Sequence, residues 1–320
     1  MSRSAGFGRR RFLAGVLAGA TWPALIPFAA FGAERTKGRL EAGAPSETAL
    51  GAAKLRAAHQ ILEYPRVLHD PFAIRMLGPG GEAALRADLP AYQRSDLRGL
   101  RAAMVLRSRY ADDRFHAAVR RGVRQYVVLG AGLDTFAYRN QYPDHMLRVF
   151  EVDHPATQAW KRARLREMGI SLPQSLTFAS VDFERQSLAD ELARAGFRRD
   201  RPAFLSWLGV TMYLTEPAVM GTLGHIASLP AGSEVEFDFT LPESSLSEAE
   251  RRRRAVAAEH VARQGEPWIT FFEPDALGRK LRAAGFSQAV HLGPQDAYQA
   301  YFAGRSDGFR GGGNIMAAVV

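Results

Sequence analysis

The chain contains no cysteine. Disulfides, thiolate metal centres and a cysteine nucleophile are therefore excluded, while the compartment stays open. Lysine is almost missing as well: Lys37, Lys54, Lys161 and Lys280 are the whole set, and arginine supplies the rest of the 42 basic residues. A net charge of +9 would suit a nucleic-acid partner, but no basic helix and no aromatic RNA-binding motif accompanies it. Part of the excess belongs to Arg3, Arg9, Arg10 and Arg11, in an N-terminal stretch without an acid, and beyond it only Arg251–Arg254 forms a basic run. No nucleic-acid role is expected. No His/Asp/Glu cluster has metal-ligand spacing, so no metal is expected either. Repeats and low-complexity blocks are also lacking. What remains is ordinary globular usage, 47% apolar and 23% charged over 320 residues, long enough for one sizeable core.

Residues 1–33 read as a leader rather than as part of the fold. Arg9-Arg10-Arg11-Phe12-Leu13 precedes an apolar stretch from Leu13 to Phe31, the pattern of a twin-arginine (Tat) signal with cleavage near Gly32 or Ala33. Three readings stay open: an export signal that engages the Tat translocon, an uncleaved membrane anchor, or a mis-set start. Pro23 and Pro27 weigh against a spanning helix. Residues 34–45, rich in Gly, Ala and charge, read as a linker.

Residues 46–121 are patterned as helices. Ser46 is placed to cap a helix carrying Leu50, Leu55, Ile61 and Leu62, which Pro65 ends. A second helix is expected near Pro71, and a long one over about Leu97–Arg121 with Leu100, Met104 and Tyr110 or Ala111 on one face. From residue 122 short apolar runs alternate with helical segments: Gln125–Leu129, Arg148–Val152, Leu176–Val181, Ala203–Val210, Glu234–Thr240 and Ser287–Leu292. That alternation predicts an α/β domain over 122–320 with a mostly parallel, Rossmann-like sheet. Asn314–Val320 makes a seventh strand, pairing antiparallel with Ser287–Leu292. A charged, Ala-rich insertion at about 242–270 reads as an amphipathic helix over the site or the surface.

The most informative stretch is Val127-Val128-Leu129-Gly130-Ala131-Gly132-Leu133-Asp134-Thr135. An apolar strand runs into a Gly-x-Gly turn, where glycine lets the backbone reverse sharply and lets a ligand lie against it. Thr135 occupies the place of the third glycine of a dinucleotide fingerprint, which disfavours a pyrophosphate. About 20 residues on, the next strand ends in Glu151-Val152-Asp153, where an acid can accept hydrogen bonds from ribose hydroxyls or simply solvate the strand end. Val181-Asp182-Phe183 stands at the end of the third strand. The combination suits an adenosyl ligand without a diphosphate.

These stretches, with Thr48-Ala49, Leu55–His59, Asp70–Ala73, Leu106–Asp113, Phe150–Pro155 and Trp207–Leu214, resemble the leucine carboxyl methyltransferase family, its bacterial S-adenosylmethionine-dependent branch above all. The resemblance covers about residues 46–320. It implies a class I methyltransferase sheet of seven strands with an N-terminal helical cap, S-adenosyl-L-methionine as cofactor and a small-molecule methyl acceptor. It places Arg107 and Arg56 at the methionine carboxylate, a group that a guanidinium grips with paired hydrogen bonds. Gly130, Gly132 and Asp134 belong to the cofactor turn, Asp153 to the ribose, and Asp182 with Phe183 to the adenine. Tyr213 is expected in the acceptor pocket. The eukaryotic members carry a Glu where this chain has Leu208, which argues against the protein-phosphatase C-terminus as substrate.

The expected reaction is O-methylation of a carboxylate or a hydroxyl. A carboxylate needs no base, whereas a hydroxyl would, and His154 and His225 are the candidates. A silent exported binding protein and an NAD(P)-dependent oxidoreductase are the alternatives. Location stays divided: the leader points to export or membrane association, the cytoplasmic supply of the cofactor to the cytoplasm.

Overall fold

Seven apolar runs become seven strands: β1 (Gln125–Leu129), β2 (Arg148–Asp153), β3 (Leu176–Ser180), β4 (Phe204–Trp207), β5 (Glu234–Phe239), β6 (Gln288–Leu292) and β7 (Asn314–Val319). The computed structural model describes residues 47–181, 186–263 and 265–320. Residues 1–46, where the leader, the linker and the Ser46 cap were expected, lie outside the described residues, as do Asp182 and Phe183. The sheet order is β3-β2-β1-β4-β5-β7-β6. Strands β1 to β5 pair in parallel, and β7 pairs antiparallel with both β5 and β6. The expected closing pair is therefore present. The chain builds outward from β1 in one direction through β2 and β3, then returns to lay β4 on the other side. That reversal opens a crevice beyond the carboxyl ends of β1 and β4, where α/β sheets bind ligands.

The helices are α1 (Glu47–Leu62), α2 (Gly81–Ala87), α3 (Ser95–Arg120), α4 (Pro155–Glu167), α5 (Leu188–Arg194), α6 (Glu216–Ala227), α7 (Glu248–Arg263), α8 (Pro274–Ala284) and α9 (Pro294–Tyr301), with single turns at Leu89–Tyr92 and Phe136–Arg139. Proline in the first turn starts α4, α6, α8 and α9, where its missing N–H costs nothing. Along β1 the alternating side chains serve two cores. Val127 and Leu129 pack with Trp207, Phe237 and α6, while Tyr126 and Val128 pack with Phe115 of α3 and Phe136.

Two helical expectations need correction. No helix starts at Pro71: a 3-10 turn at Arg75–Leu77 follows, and α2 begins only at Gly81. The Asp70 side chain accepts the Phe72 N–H at 3.1 Å and the Thr135 hydroxyl at 2.6 Å, which fixes the segment as a turn. Gly78 and Gly80, both with positive φ, delay the helix further. On α3 the buried stripe is Ala102, Val105, Leu106 and Phe115, whereas Leu100 is 43% exposed. Arg101 goes inside instead, forking onto Glu63 with Nη2 at 2.6 Å. A charge-paired arginine thus displaces the leucine that apolar periodicity alone selects.

Strand β5 presents three acids, Glu234, Glu236 and Asp238, on one face. Glu234 pairs with Arg114 of α3 and with Arg121 just past its end, and Asp238 pairs with Arg107 of the same helix. Glu236, between them, is fully buried, and among the described residues neither carboxyl oxygen is hydrogen-bonded. Desolvation pushes its pKa well up, which favours the neutral form.

Candidate functional site

Strand β1 runs straight into Gly130-Ala131-Gly132, which turns with φ of +64° at Gly130 and +45° at Gly132. A Cβ on Gly130 would stand 2.6 Å from Val210 Cγ2, on the loop after β4. Backbone conformation and close approach both demand glycine there. Asp153, at the end of β2, clasps the turn. Its Oδ2 accepts the Gly132 N–H at 2.6 Å and its Oδ1 accepts the His154 N–H at 2.7 Å. Burial pushes the Asp153 pKa up, and the two amide donors oppose that. Asp134 turns back on its own loop, with Oδ1 accepting the Phe136 N–H at 2.7 Å.

Two arginines approach this turn from the helical region. Arg56, buried on α1, donates from Nη2 to the Leu133 carbonyl at 2.6 Å. Burial lowers its pKa; Asp134 and Asp70 oppose that, and the positive charge of Arg107 adds to it. Arg107, on α3, donates from Nη1 to Asp238 Oδ2 at 2.8 Å. The other carboxylate oxygen of Asp238 accepts the Gly209 N–H at 2.5 Å. A Cβ on Gly209 would lie 2.8 Å from Arg107 Nη2, so the guanidinium rests on that glycine. Among the described residues, Nε and Nη2 of Arg107 hold no acceptor. Both guanidiniums keep donors to spare in a poorly solvated place, and an anionic group can accept them.

Tyr213 follows β4 and belongs to the same neighbourhood. Burial raises its phenol pKa, and Trp268, Glu266, Arg107 and Asp238 are the groups that act on it. The Trp268 Nε1–H is buried without an acceptor in hydrogen-bond geometry among the described residues. The chain just after α7 (Glu248–Arg263) thus lies in this neighbourhood. It runs beside the loop following β4, with Ile269 N–H donating to the Met212 carbonyl at 2.8 Å. Glu266 accepts from the Thr48 hydroxyl on the first turn of α1, which ties the helical cap across the crevice.

Arg56, Gly130, Gly132, Asp134 and Asp153 thus gather at one turn, and Arg107 and Tyr213 stand beside it with Asp238. Asp182 and Phe183 lie outside the described residues. Reading the sequence alone overlooked Gly209, Asp238 and Trp268. The alternation Glu234-x-Glu236-x-Asp238 was the available signal, since three acids on one face of a central strand require partners.

Glu151 does not line the crevice, nor does it solvate the strand end. It is 1% exposed and pairs with Lys161 of α4 at 2.7 Å, while the Tyr138 hydroxyl donates to it at 3.3 Å. Desolvation, opposed by Lys161, pushes its pKa up to about 7 from 4.5. The folded state then holds a proton that the unfolded state releases, so this group's contribution to stability is fully present below pH 4.5 and lost as pH rises to about 7. Unfolding titrations across that range should show the decline in the wild type and a flatter profile in Glu151→Gln. An identical decline in the variant would assign the effect to another group.

Residues 49–227 match the family "Leucine carboxyl methyltransferase". Three bacterial relatives share the name "Putative S-adenosyl-L-methionine-dependent methyltransferase". The one from Bacillus subtilis is 33% identical over 202 residues, covering 63% of this chain and 66% of its own length. That from Mycolicibacterium paratuberculosis is 35% identical over 67% of this chain and 73% of its own. That from Streptomyces coelicolor is 35% identical over 76% and 83%. A solved structure from Thermobifida fusca, described as a "putative methyltransferase", superposes with a TM-score of 0.52 at 18% identity, covering 88% of this chain and 97% of its own. At that identity it bears on the fold, which is that of the seven-stranded methyltransferase sheet.

Proposed function

Because this chain belongs to the leucine carboxyl methyltransferase family, we propose that it methylates an oxygen of a small-molecule acceptor, and that this oxygen belongs to a carboxylate. The chain is an S-adenosylmethionine-dependent methyltransferase. The residues at the crevice suit that cofactor. Arg107, with Arg56 beside it, would hold the methionine carboxylate, the glycine turn would lie against the nucleoside, and Asp153 would meet the ribose. When bound, the cofactor supplies an electrophilic methyl group on a sulfonium. Asp238 acts behind Arg107, fixing its guanidinium so that the free edge faces the ligand. Thr135 supports the preference over a dinucleotide: it takes the place of a third glycine, and its hydroxyl is committed to Asp70.

The observation that carries the carboxylate assignment is the lack of an available base among the described residues at the crevice. His154 uses Nδ1 to accept the Ala156 N–H at 3.2 Å, as the cap of α4. His225 lies in the last turn of α6, at the opposite end of the sheet from the crevice, because that helix starts at the carboxyl end of β4. Asp238 is paired, Glu266 is bonded to Thr48, and burial keeps the Tyr213 phenol protonated. A carboxylate attacks without losing a proton, so the protein's task reduces to holding it in line. Tyr213 and the Trp268 indole, both donors, would orient such an anion.

Methyl-labelled cofactor incubated with the protein and a panel of small carboxylic acids and phenols tests this. Products from the acids should release the label as methanol in mild base, as esters do. Label appearing only in base-stable ethers of the phenols would overturn the carboxylate reading.

A further inference from the structure

A cleft of about 550 Å³ opens between three remote segments: Tyr64–Val67 after α1, Arg109 with Asp113 on α3, and the chain from Ala300 to Asp307 at the end of α9. Its volume falls in the range of small-molecule sites, roughly 300–1,000 Å³. It is separate from the glycine turn. Arg109 follows Arg107 by two residues, about 200° around the helix, so the cleft and the crevice take opposite sides of α3.

The charges in the cleft do not cancel. Asp113 accepts both contacts of the Arg109 Nε at 3.0 Å and the Tyr301 hydroxyl at 3.0 Å. Asp307 accepts Arg305 through Nε at 3.1 Å and Nη2 at 2.6 Å, and also the Phe309 N–H. Both carboxylates are therefore matched to an arginine of their own. Arg66 is left with no carboxylate: its Nε and Nη2 share the Gln60 carbonyl at 2.9 and 2.7 Å. Among the described residues, Nη1 of Arg66 and Nη2 of Arg109 hold no acceptor. At the mouth, Tyr64 is 85% exposed, a large flat ring left open among the described residues, beside the donors that lack acceptors there.

We propose that this cleft binds a small organic anion, with its acid group on Arg66 and Arg109 and its flat body against Tyr64. The net single positive charge matches one carboxylate or one phosphate ester, and the guanidinium edges suit either. The site is additional to the methyl-transfer crevice and does not depend on which acceptor is methylated.

Calorimetric titration of the full chain with benzoate and with phenyl phosphate tests it, with S-adenosylhomocysteine present throughout to occupy the crevice. At least one probe should bind, and Tyr64→Ala and Arg66→Glu should each weaken it about tenfold or more, that is by at least about 1.4 kcal/mol. Tyr64→Ala alters an exposed side chain and leaves the fold intact, so its effect reads binding and not unfolding. Three results overturn the proposal: no binding of either probe at about 1 mM, binding seen only in a parallel titration without S-adenosylhomocysteine, or binding unchanged in both variants.

Discussion

Replacing Arg107 by Ala is expected to weaken S-adenosylmethionine binding by roughly 2–5 kcal/mol, the range for truncating one partner of a buried, hydrogen-bonded charge pair. In affinity this is about 30-fold to a few thousand-fold. The guanidinium is 13% exposed and already braced by Asp238 and Gly209, so little ordering remains to be done when the ligand arrives. Adenosine, which lacks the methionine carboxylate, should bind wild type and variant alike. An equal loss for both ligands would reassign Arg107 to supporting the fold, because Asp238 would then be the group suffering from its removal. Asp238→Asn separates the roles further: it keeps an acceptor for the Gly209 N–H but removes the charge that orients Arg107, so its effect should be smaller and again confined to the carboxylate-bearing ligand.

Arg101→Ala should destabilise the protein by about 3–5 kcal/mol, since it leaves a buried carboxylate without its cation. Glu63 and Arg101 are 5% and 1% exposed at their side chains. Arg101 also donates to the Tyr92 carbonyl and lies 5.5 Å from the Phe309 ring centre. Glu63 would keep only His59, whose Nδ1 stands 2.9 Å away and whose Nε2 accepts the Val67 and Leu68 N–H groups. Those two acceptances leave the proton on Nδ1, so His59 donates to Glu63 as a neutral ring; burial lowers its pKa and keeps it so. Chemical denaturation of Arg101→Ala measures the loss, and Glu63→Leu/Arg101→Met should recover most of it, because apolar replacement of a whole buried pair is often neutral. A loss under 1 kcal/mol, on the scale of a surface ion pair, would mean that Glu63 takes up a proton or reaches water instead. The same network fixes the end of α1, the helix that carries Arg56, so loss of cofactor affinity should accompany the instability.

The sheet was legible because buried parallel strands read as continuous apolar runs, and the chain reversal after β1 was marked by two glycines. Asp153 could be placed from its distance down the chain. The partnership of Arg107 with Asp238 could not, since 131 residues separate them and the order of β4, β5 and α3 in space decides it. Arg101 escaped for a related reason. Periodicity sorts residues by polarity, and a buried arginine violates that sorting only because Glu63, 38 residues earlier, neutralises it. Glu151 and Asp153 illustrate the limit of a strand-end motif: two acids two residues apart share a face, yet one is sealed against Lys161 and the other meets the glycine turn. Nothing in their local sequence separates them, while α4 packing over β2 does.

Calorimetry of the full chain with S-adenosylmethionine and with NAD tests the central claim most directly. The geometry of Gly130, Gly132 and Asp153 with the paired arginines predicts saturable binding of S-adenosylmethionine and of S-adenosylhomocysteine, and no binding of NAD. Binding of NAD with none of the adenosyl ligands would contradict it.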